Sequence, residues 1–334
     1  MLLDLNDVQQ VELFNQFIID SPFGQVTQTT QWAELKSNWG HYHFYQTDDN
    51  DKIIAALTVL TIKNDYGTFA YAARGPIADF TNVNLIKAMI NEAVEKLPED
   101  TFLLRVDPEI LDDEKLVTAY QNAGFTVRKT DEDDMHFNIQ PRRNIVLKYQ
   151  GIKDQDQLML HFKSDYRNQI RRAAKEGVQV EFGTNHQYVD QFFDLYVKMA
   201  ESQGITHRPI EYFYKMSDLW NDKSDLFRIY IAKLNDQPIA AGIGFAYGDE
   251  IWYMYAGSDR QYTKYYGPYA VQFEMIKWGL EAGKIEYDFG GVGSFSKDDG
   301  LYVFKHGFAY SDPDVEYIGE IDKILDPSKY NDFN

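Results

Sequence analysis

The sequence predicts an α+β protein in which one unit, a mixed and largely antiparallel sheet with flanking helices, is used twice. Three observations predict it. Helical and strand periodicities alternate along the whole chain. A strand–loop–helix–strand series recurs: Phe69-Ala-Tyr71-Ala-Ala precedes a loop with Pro76, a helix and a strand ending at Asp107, and Tyr253-Met-Tyr255-Ala-Gly precedes Pro268, a helix and a strand ending at Asp288. The tyrosine-to-aspartate intervals are alike, 36 residues (71 to 107) and 33 residues (255 to 288). Finally, 334 residues with 44% hydrophobic content are enough for two cores.

In the first half, Val8, Val11, Phe14 and Phe17/Ile18 recur at helical spacing, and Trp32–Trp39 reads as a short second helix. His41–Tyr45, Ile53–Ile62 and Phe69–Ala73 read as strands, the first two joined by the turn Asp48-Asp49-Asn50-Asp51. Asn84–Leu97 carries Ile86, Ile90, Ala93/Val94 and Leu97 on one helical face, and the strand Phe102–Asp107 follows. Met135–Tyr149, punctuated by Pro141-Arg142-Arg143, is read as the join. In the second half, His186–Ser202 and Ile210–Trp220 read as helices, and Phe227–Ala232, Ile239–Ala246 and Ile251–Gly257 as strands. Pro268–Ala282 is a helix and Glu286–Phe289 a strand. Glu316–Ile324 is one more strand, of the kind that returns to complete an earlier sheet. The expected division is therefore 1–145 with 316–334, and 146–315, with a cleft between the halves.

Charge and composition narrow the function. Against 52 Asp and Glu stand 33 Lys and Arg, a net charge of −19, so non-specific duplex DNA binding is excluded. Without cysteine, thiol nucleophiles, disulfides and cysteine metal sites are excluded too. The opening Met-Leu-Leu-Asp-Leu-Asn-Asp lacks a basic n-region and a cleavage site, and no apolar run approaches the ~18 residues of a membrane span. The expectation is a cytoplasmic, soluble monomer. The seven histidines are scattered, with His41 and His43 on one strand face and no third ligand, so no metal is expected. Asp288-Phe-Gly lacks the rest of a kinase pattern, and Gly290-Gly-Val-Gly293 does not satisfy the dinucleotide fingerprint.

Four local features carry chemistry. Pro141–Lys175 holds nine basic and three acidic residues, and Lys163, Arg167, Arg171 and Lys175 recur every fourth position. A helix there bears one basic stripe beside Arg172, with Tyr166, Ile170 and Ala173/Ala174 as its buried side. Such a stripe either tracks a phosphate backbone or is a solvated face. Gly204–Tyr212 is a loop entering a helix at Pro209, where Arg208 suits a pyrophosphate or a helix-start ion pair. Tyr253 and Tyr255, at strand period two, point to one face, toward a ligand or toward the Pro268 helix. Lys305 sits in the aromatic–aliphatic run Leu301–Phe308, which marks a functional ammonium or one paired with a carboxylate.

Five strings, Thr206-His-Arg-Pro-Ile-Glu-Tyr-Phe, Ile251-Trp-Tyr-Met-Tyr-Ala-Gly-Ser, Tyr266-Gly-Pro-Tyr-Ala-Val-Gln, Tyr302-Val-Phe-Lys-His and Tyr317-Ile-Gly-Glu-Ile-Asp, resemble the FemABX family of aminoacyl-tRNA-dependent peptidyltransferases. Ser21-Pro-Phe-Gly-Gln-Val-Thr-Gln and the Arg167…Arg171-Arg172-Ala-Ala-Lys-Glu-Gly helix extend the resemblance nearly end to end. The resemblance implies two acetyltransferase-like (GNAT) subdomains, no cofactor, an aminoacyl-tRNA donor and UDP-MurNAc-pentapeptide as acceptor. Between Tyr149 and the helix at Lys163 there is no room for the coiled-coil arm of longer members. By the same resemblance, Lys36, Thr206, Arg208, Tyr212 and Tyr253, with Tyr255 as the second choice, bind the acceptor. Lys305 acts on the tRNA ester and Asp107 sits near the acceptor peptide; by the chemistry of aminolysis, Asp107, Glu320 or the substrate itself takes the proton. Lys163, Arg167, Arg171, Arg172 and Lys175 would contact the tRNA. This chain has Phe102 where the family pattern has tyrosine. Two alternatives stand beside this reading: a CoA-dependent N-acyltransferase, disfavoured because Arg260–Gly267 lacks a glycine-rich pyrophosphate cradle, and a non-catalytic sensor of the precursor.

Overall fold

The computed structural model describes residues 1–129 and 137–333. Two units emerge: the first covers the chain up to Arg143 together with the segment from Val315 onward, and the second covers Asn144–Asp314.

The first unit opens with α1 (Val8–Asp20) and α2 (Thr30–Leu35), whose first free N–H groups are capped by the side chains of Asp7 and Thr29. The helix predicted over Trp32–Trp39 thus starts earlier and stops at Leu35, because Lys36 leaves the helical region at ψ 46. A meander follows of β1 (Gly40–Thr47), β2 (Ile53–Asn64) and β3 (Gly67–Ala72), each pair antiparallel. The chain then crosses through α3 (Val83–Val94) to β4 (Thr101–Val106), which lies parallel to β3. The apolar face of α3, with Ile86, Met89, Ile90 and Ala93, packs in one cluster with Leu57, Val59, Ala70 and Leu104 of the sheet. Next come α4 (Glu114–Asn122) and β5 (Thr126–Arg128).

The second unit repeats this order after an opening of β6 (Arg143–Lys148), α5 (Gln155–His161), α6 (Ser164–Lys175), β7 (Val178–Gly183), α7 (His186–Gln203) and α8 (Ile210–Leu219). The repeated core is the antiparallel run β8 (Phe227–Leu234), β9 (Gln237–Tyr247) and β10 (Glu250–Ser258), the crossing helix α9 (Gly267–Glu281), and β11 (Glu286–Gly291) parallel to β10. Last comes α10 (Gly300–His306). The segment read as a join is a strand from Arg143 onward, its Ile145, Val146 and Leu147 all buried; Met135 lies outside the described residues. Only the seven-residue α5 stands between Tyr149 and Lys163, so the coiled-coil arm is absent.

Back in the first unit, β12 (Val315–Glu316), β13 (Glu320–Ile324) and α11 (Pro327–Phe333) close the chain. The single strand expected over Glu316–Ile324 is two, because Gly319 turns the backbone at φ +96, and a Cβ there would meet the Arg128 carbonyl oxygen at 2.5 Å. β13 enters the first sheet between β4 and β5, giving the order β1-β2-β3-β4-β13-β5. The second unit's own strands run β6-β11-β10-β9-β8-β7. In each unit, therefore, the strand after the crossing helix has a parallel neighbour on one side and an antiparallel one on the other: β13 beside β4, β6 beside β11.

Register puts Asp322 of β13 opposite Arg105 of β4. Both are buried, and the guanidinium binds the carboxylate through two hydrogen bonds of 2.7 and 2.8 Å. Its third nitrogen reaches Glu320 at 3.1 Å. Burial disfavours this guanidinium, but Asp322 and Glu320 outweigh it and hold Arg105 charged more firmly than usual.

Candidate active site

Lys305 is placed by α10, which Asp299 starts. One Asp299 oxygen accepts the N–H groups of Leu301 and Tyr302, and the other accepts those of Gly293 and Ser294, fastening the loop after β11 to the helix. Lys305 is 6% exposed, and its Nζ donates to the Gly291 carbonyl at 2.7 Å. An ammonium has three donors, and this is the one hydrogen bond Lys305 makes among the described residues. Its direct partner is thus a backbone oxygen, not the carboxylate considered from sequence. Burial pushes the ammonium down to about 8, with the charges of Asp288 and Asp299 opposing that shift. A positive charge with donors to spare, at the base of a loop, suits a developing oxyanion.

Tyr253 and Tyr255 do not share a face, contrary to their spacing. Tyr253 pairs with Gly244 and Tyr255 with Ile243, so Met254 is an extra residue that shifts the register. Tyr253 turns toward α9, where burial raises its hydroxyl to about 12, with the neighbouring Gln272 pulling the other way. Tyr255 turns toward α7 and α8, its ring 5.2 Å from Phe213 and 6.2 Å from Tyr196. On that face Gly257 lets α7 approach: a Cβ there would lie 2.6 Å from the Tyr196 nitrogen.

The α7–α8 loop adds a cation to this aromatic face. Gly204 ends α7 in the left-handed conformation at φ 68, and Pro209 opens α8. Between them Arg208 lies 4.7 Å over the Tyr212 ring, its N–H donating to the Tyr196 hydroxyl at 3.4 Å. The Tyr255 hydroxyl donates to that of Tyr212 at 3.4 Å, and burial raises both phenols. Arg208 forms no ion pair among the described residues, so the helix-start pair is not made; the residue is exposed overall, while its guanidinium is partly buried against the rings of Tyr196, Tyr212 and Tyr255. Thr206 is exposed in the same loop, and among the described residues His207 makes a local hydrogen bond, between Nδ1 and the Arg208 carbonyl at 3.1 Å. Replacing Arg208 with alanine should weaken binding of a diphosphate ligand by about 1.5–3 kcal/mol, the range for charge-assisted bonds. Titration calorimetry with UDP-MurNAc-pentapeptide reads this, and an unchanged Kd would remove Arg208 from the site.

In the first unit, Asp107 is 2% exposed. It accepts from the Tyr71 hydroxyl at 2.5 Å and from the Arg74 N–H at 2.6 Å. Burial nevertheless raises its carboxyl to about 6, with Arg74 and Tyr71 pulling the other way. Tyr71 and Arg74 were not singled out from sequence as partners of Asp107; the 36-residue interval between Tyr71 and Asp107 was the available sign, since β3 and β4 are adjacent. Glu320 is fully buried, and its oxygens take Arg105, Arg128 and the Ile139 N–H. Lys36 stands at the end of α2 with its Nζ 5.1 Å from the Trp32 ring centroid. Phe102 is fully buried against Phe69 and Phe333.

The basic stripe lies on α6, with Tyr166, Ile170 and Ala173 buried; Ala174 is exposed instead. Arg167 is not a free member of it, since its guanidinium donates to the carbonyls of Leu160 and Phe162 at 3.3 and 2.6 Å. Lys163, Arg171, Arg172 and Lys175 are exposed.

The sequence profile of the FemAB family matches residues 10–237 and 228–334 of this chain. The chain belongs to the FemAB family. Its FemAB relatives include the UDP-N-acetylmuramoylpentapeptide-lysine N(6)-alanyltransferase of Weissella viridescens, 44% identical over 98% of each chain. A lipid II:glycine glycyltransferase of Staphylococcus epidermidis is 23% identical, covering 97% of this chain and 94% of that one. The crystal structure of FemX superposes with a TM-score of 0.85 at 21% identity, covering 96% of this chain and 97% of that one. A tandem GNAT protein from the clavulanic acid pathway superposes at 0.53 over 98% of both, at 9% identity. The FemAB chain described here therefore has the two GNAT-like subdomains expected, and it is an aminoacyltransferase. No helix among the described residues is long and apolar enough to cross a membrane.

Proposed function

We propose that this chain transfers alanine from alanyl-tRNA to the ε-amine of the third-position lysine of UDP-MurNAc-pentapeptide. The likeness to the Weissella alanyltransferase, 44% over 98% of both chains, carries the reading. The chemistry of the site agrees with it. The nitrogen attacks the ester carbon, the bond to the tRNA ribose oxygen breaks, and an amide results without ATP. An alkyl amine near pKa ~10.4 must shed a proton to attack. Asp107, raised to about 6, is ionised at neutral pH and more basic than an ordinary carboxylate. Glu320, held by two guanidinium groups, is the poorer acceptor, so we assign the proton to Asp107. In the second unit Lys305 faces the oxyanion of the tetrahedral intermediate, while Arg208 holds the diphosphate and Thr206, Tyr212 and Tyr255 line its path; in the first unit Lys36 is assigned to precursor binding. Tyr253, turned into the packing of α9, supports β10 instead.

Incubation with UDP-MurNAc-pentapeptide and alanyl-tRNA, followed by mass spectrometry, should show a gain of one alanyl residue on the lysine. Binding of the precursor without gain from alanyl-, seryl- or glycyl-tRNA would make the chain a sensor. Transfer from acetyl-CoA would make it a CoA-dependent acyltransferase.

A further inference from the structure

We propose that Tyr71 is a positioning residue for the transfer, its hydroxyl holding the Asp107 carboxylate in the orientation that takes the proton from the acceptor amine. The proposal deepens the reading above and rests on its assignment of that proton to Asp107.

The hydroxyl is aimed by packing. β3 lies parallel to β4 with Tyr71 opposite Arg105, two residues before Asp107. The Tyr71 ring is buried and stacked on Phe69 at 6.2 Å and 13°, in one cluster with Phe102 and Leu103. A ring held in that way has one direction for its hydroxyl, onto Oδ2 of Asp107 at 2.5 Å. The other carboxylate oxygen is held separately. Thr27 and Gln28 each donate to the Ala73 carbonyl at 2.8 Å, which fastens the turn after β3. In that turn Arg74, at φ 54, gives its backbone N–H to Oδ1 at 2.6 Å. Two of the roughly four lone-pair sites of the carboxylate are thus filled, and the two donors fix where the others point.

Donor chemistry separates this aspartate from its counterpart in the second unit. Asp288, at the matching place in the repeat, accepts from the Asn144 amide at 2.9 Å and the Gly290 N–H at 2.6 Å. N–H groups can only donate, which favours a permanent carboxylate. A hydroxyl donates and accepts, so it keeps a bond to Asp107 whether or not the carboxyl carries a proton. Burial and the Asp107 charge raise the Tyr71 phenol well above its usual range, so Tyr71 retains its own proton and acts as a donor. The charges facing Asp107 are Arg74, which favours the carboxylate, and Glu320 of β13, which opposes it. Arg74 is itself paired with Glu109 at 3.0 Å.

Tyr71→Phe, Asp107→Asn and the double variant test this in the full chain, with UDP-MurNAc-pentapeptide and alanyl-tRNA as substrates. Phenylalanine keeps the stack on Phe69 and removes one donor that favours the charged carboxylate. The acid limb of kcat/KM, expected near pH 6 in the wild type, should therefore move up by about one unit in Tyr71→Phe. On the plateau kcat should fall about tenfold, with KM for the precursor little changed. Adding Tyr71→Phe to Asp107→Asn should cost nothing further, since the hydroxyl acts through the carboxylate. An unmoved limb, or an equal loss in the asparagine background, overturns the proposal and leaves Tyr71 a packing residue. So does a Tyr71→Phe chain that fails to fold, which would assign the hydroxyl to the fold. Full turnover in Asp107→Asn would sink the assignment to Asp107 and this proposal with it; a defective Asp107→Asn beside an unaltered Tyr71→Phe would sink the proposal alone.

Discussion

Replacing Lys305 with methionine should lower kcat by about 10²–10³, the loss seen when one oxyanion donor is removed. Methionine keeps the length and apolar body of the side chain, so α10 should remain docked and precursor affinity should change little. The ammonium matters most once the tetrahedral centre carries charge. Its pH dependence gives a second readout. The folded pKa of about 8 lies below the ordinary 10.5. Between these values the unfolded chain holds a proton that the folded chain has released, so this group makes stability rise with pH across that window. Turnover should move the opposite way, because the neutral amine no longer stabilises the oxyanion. A wild-type kcat that declines above about pH 8, against a Lys305→Met variant with low kcat and no such decline, is the expected pair of profiles. Full turnover in the methionine variant would make Lys305 a packing residue.

Arg105→Met should cost about 3–5 kcal/mol of folding stability, the largest structural effect expected in the molecule. Among the described residues, the substitution leaves Asp322 buried against the Tyr330 hydroxyl at 2.9 Å, and leaves Glu320 to Arg128 and a backbone N–H. The penalty comes from an uncompensated buried carboxylate rather than from the lost attraction itself. Arg105→Met combined with Asp322→Leu should therefore be more stable than Arg105→Met alone. Urea unfolding of the three proteins decides it. A single-variant loss below about 1 kcal/mol would mean that water reaches this pair.

Sequence conveyed the repeated core well because its signals are local. The long apolar run Ile53–Ile62, rich in β-branched residues, and the one-sided apolar face of α3 each report a single element, and both elements formed. What escaped it was non-local or silent. Met254 adds one residue to β10, and no pattern in Ile251–Gly257 distinguishes a strand with an inserted residue from one without. The consequence was large for the site, since it sends Tyr253 and Tyr255 to opposite sides. β6 was missed because its apolar run, Ile145, Val146 and Leu147, is only three residues long and follows directly on Pro141-Arg142-Arg143, so it does not announce a strand as the longer run of β2 does. The spacing of Lys163, Arg167, Arg171 and Lys175 predicted a stripe, but not that Arg167 would turn back onto the carbonyls ending α5. Lys305 was legible as an oddity, a lysine among aromatic residues; its backbone partner at Gly291 was not.

The position of β13 has a consequence for how the chain is made. A ribosome delivers β1 to β5 first, then every residue of the second unit, and only afterwards the strand that belongs beside β4. At synthesis rates of about 5–20 residues per second, β4 waits many seconds with its edge open and Arg105 facing no acid. The second unit has its own strands and crossing helix in hand by then and is free to form. Birth order and spatial order are thus reversed: the half that starts first finishes last. A product cut short between β5 and Glu320 would carry an unfinished sheet and leave Arg105 without the two carboxylates that hold it, a ready mark for proteolytic removal.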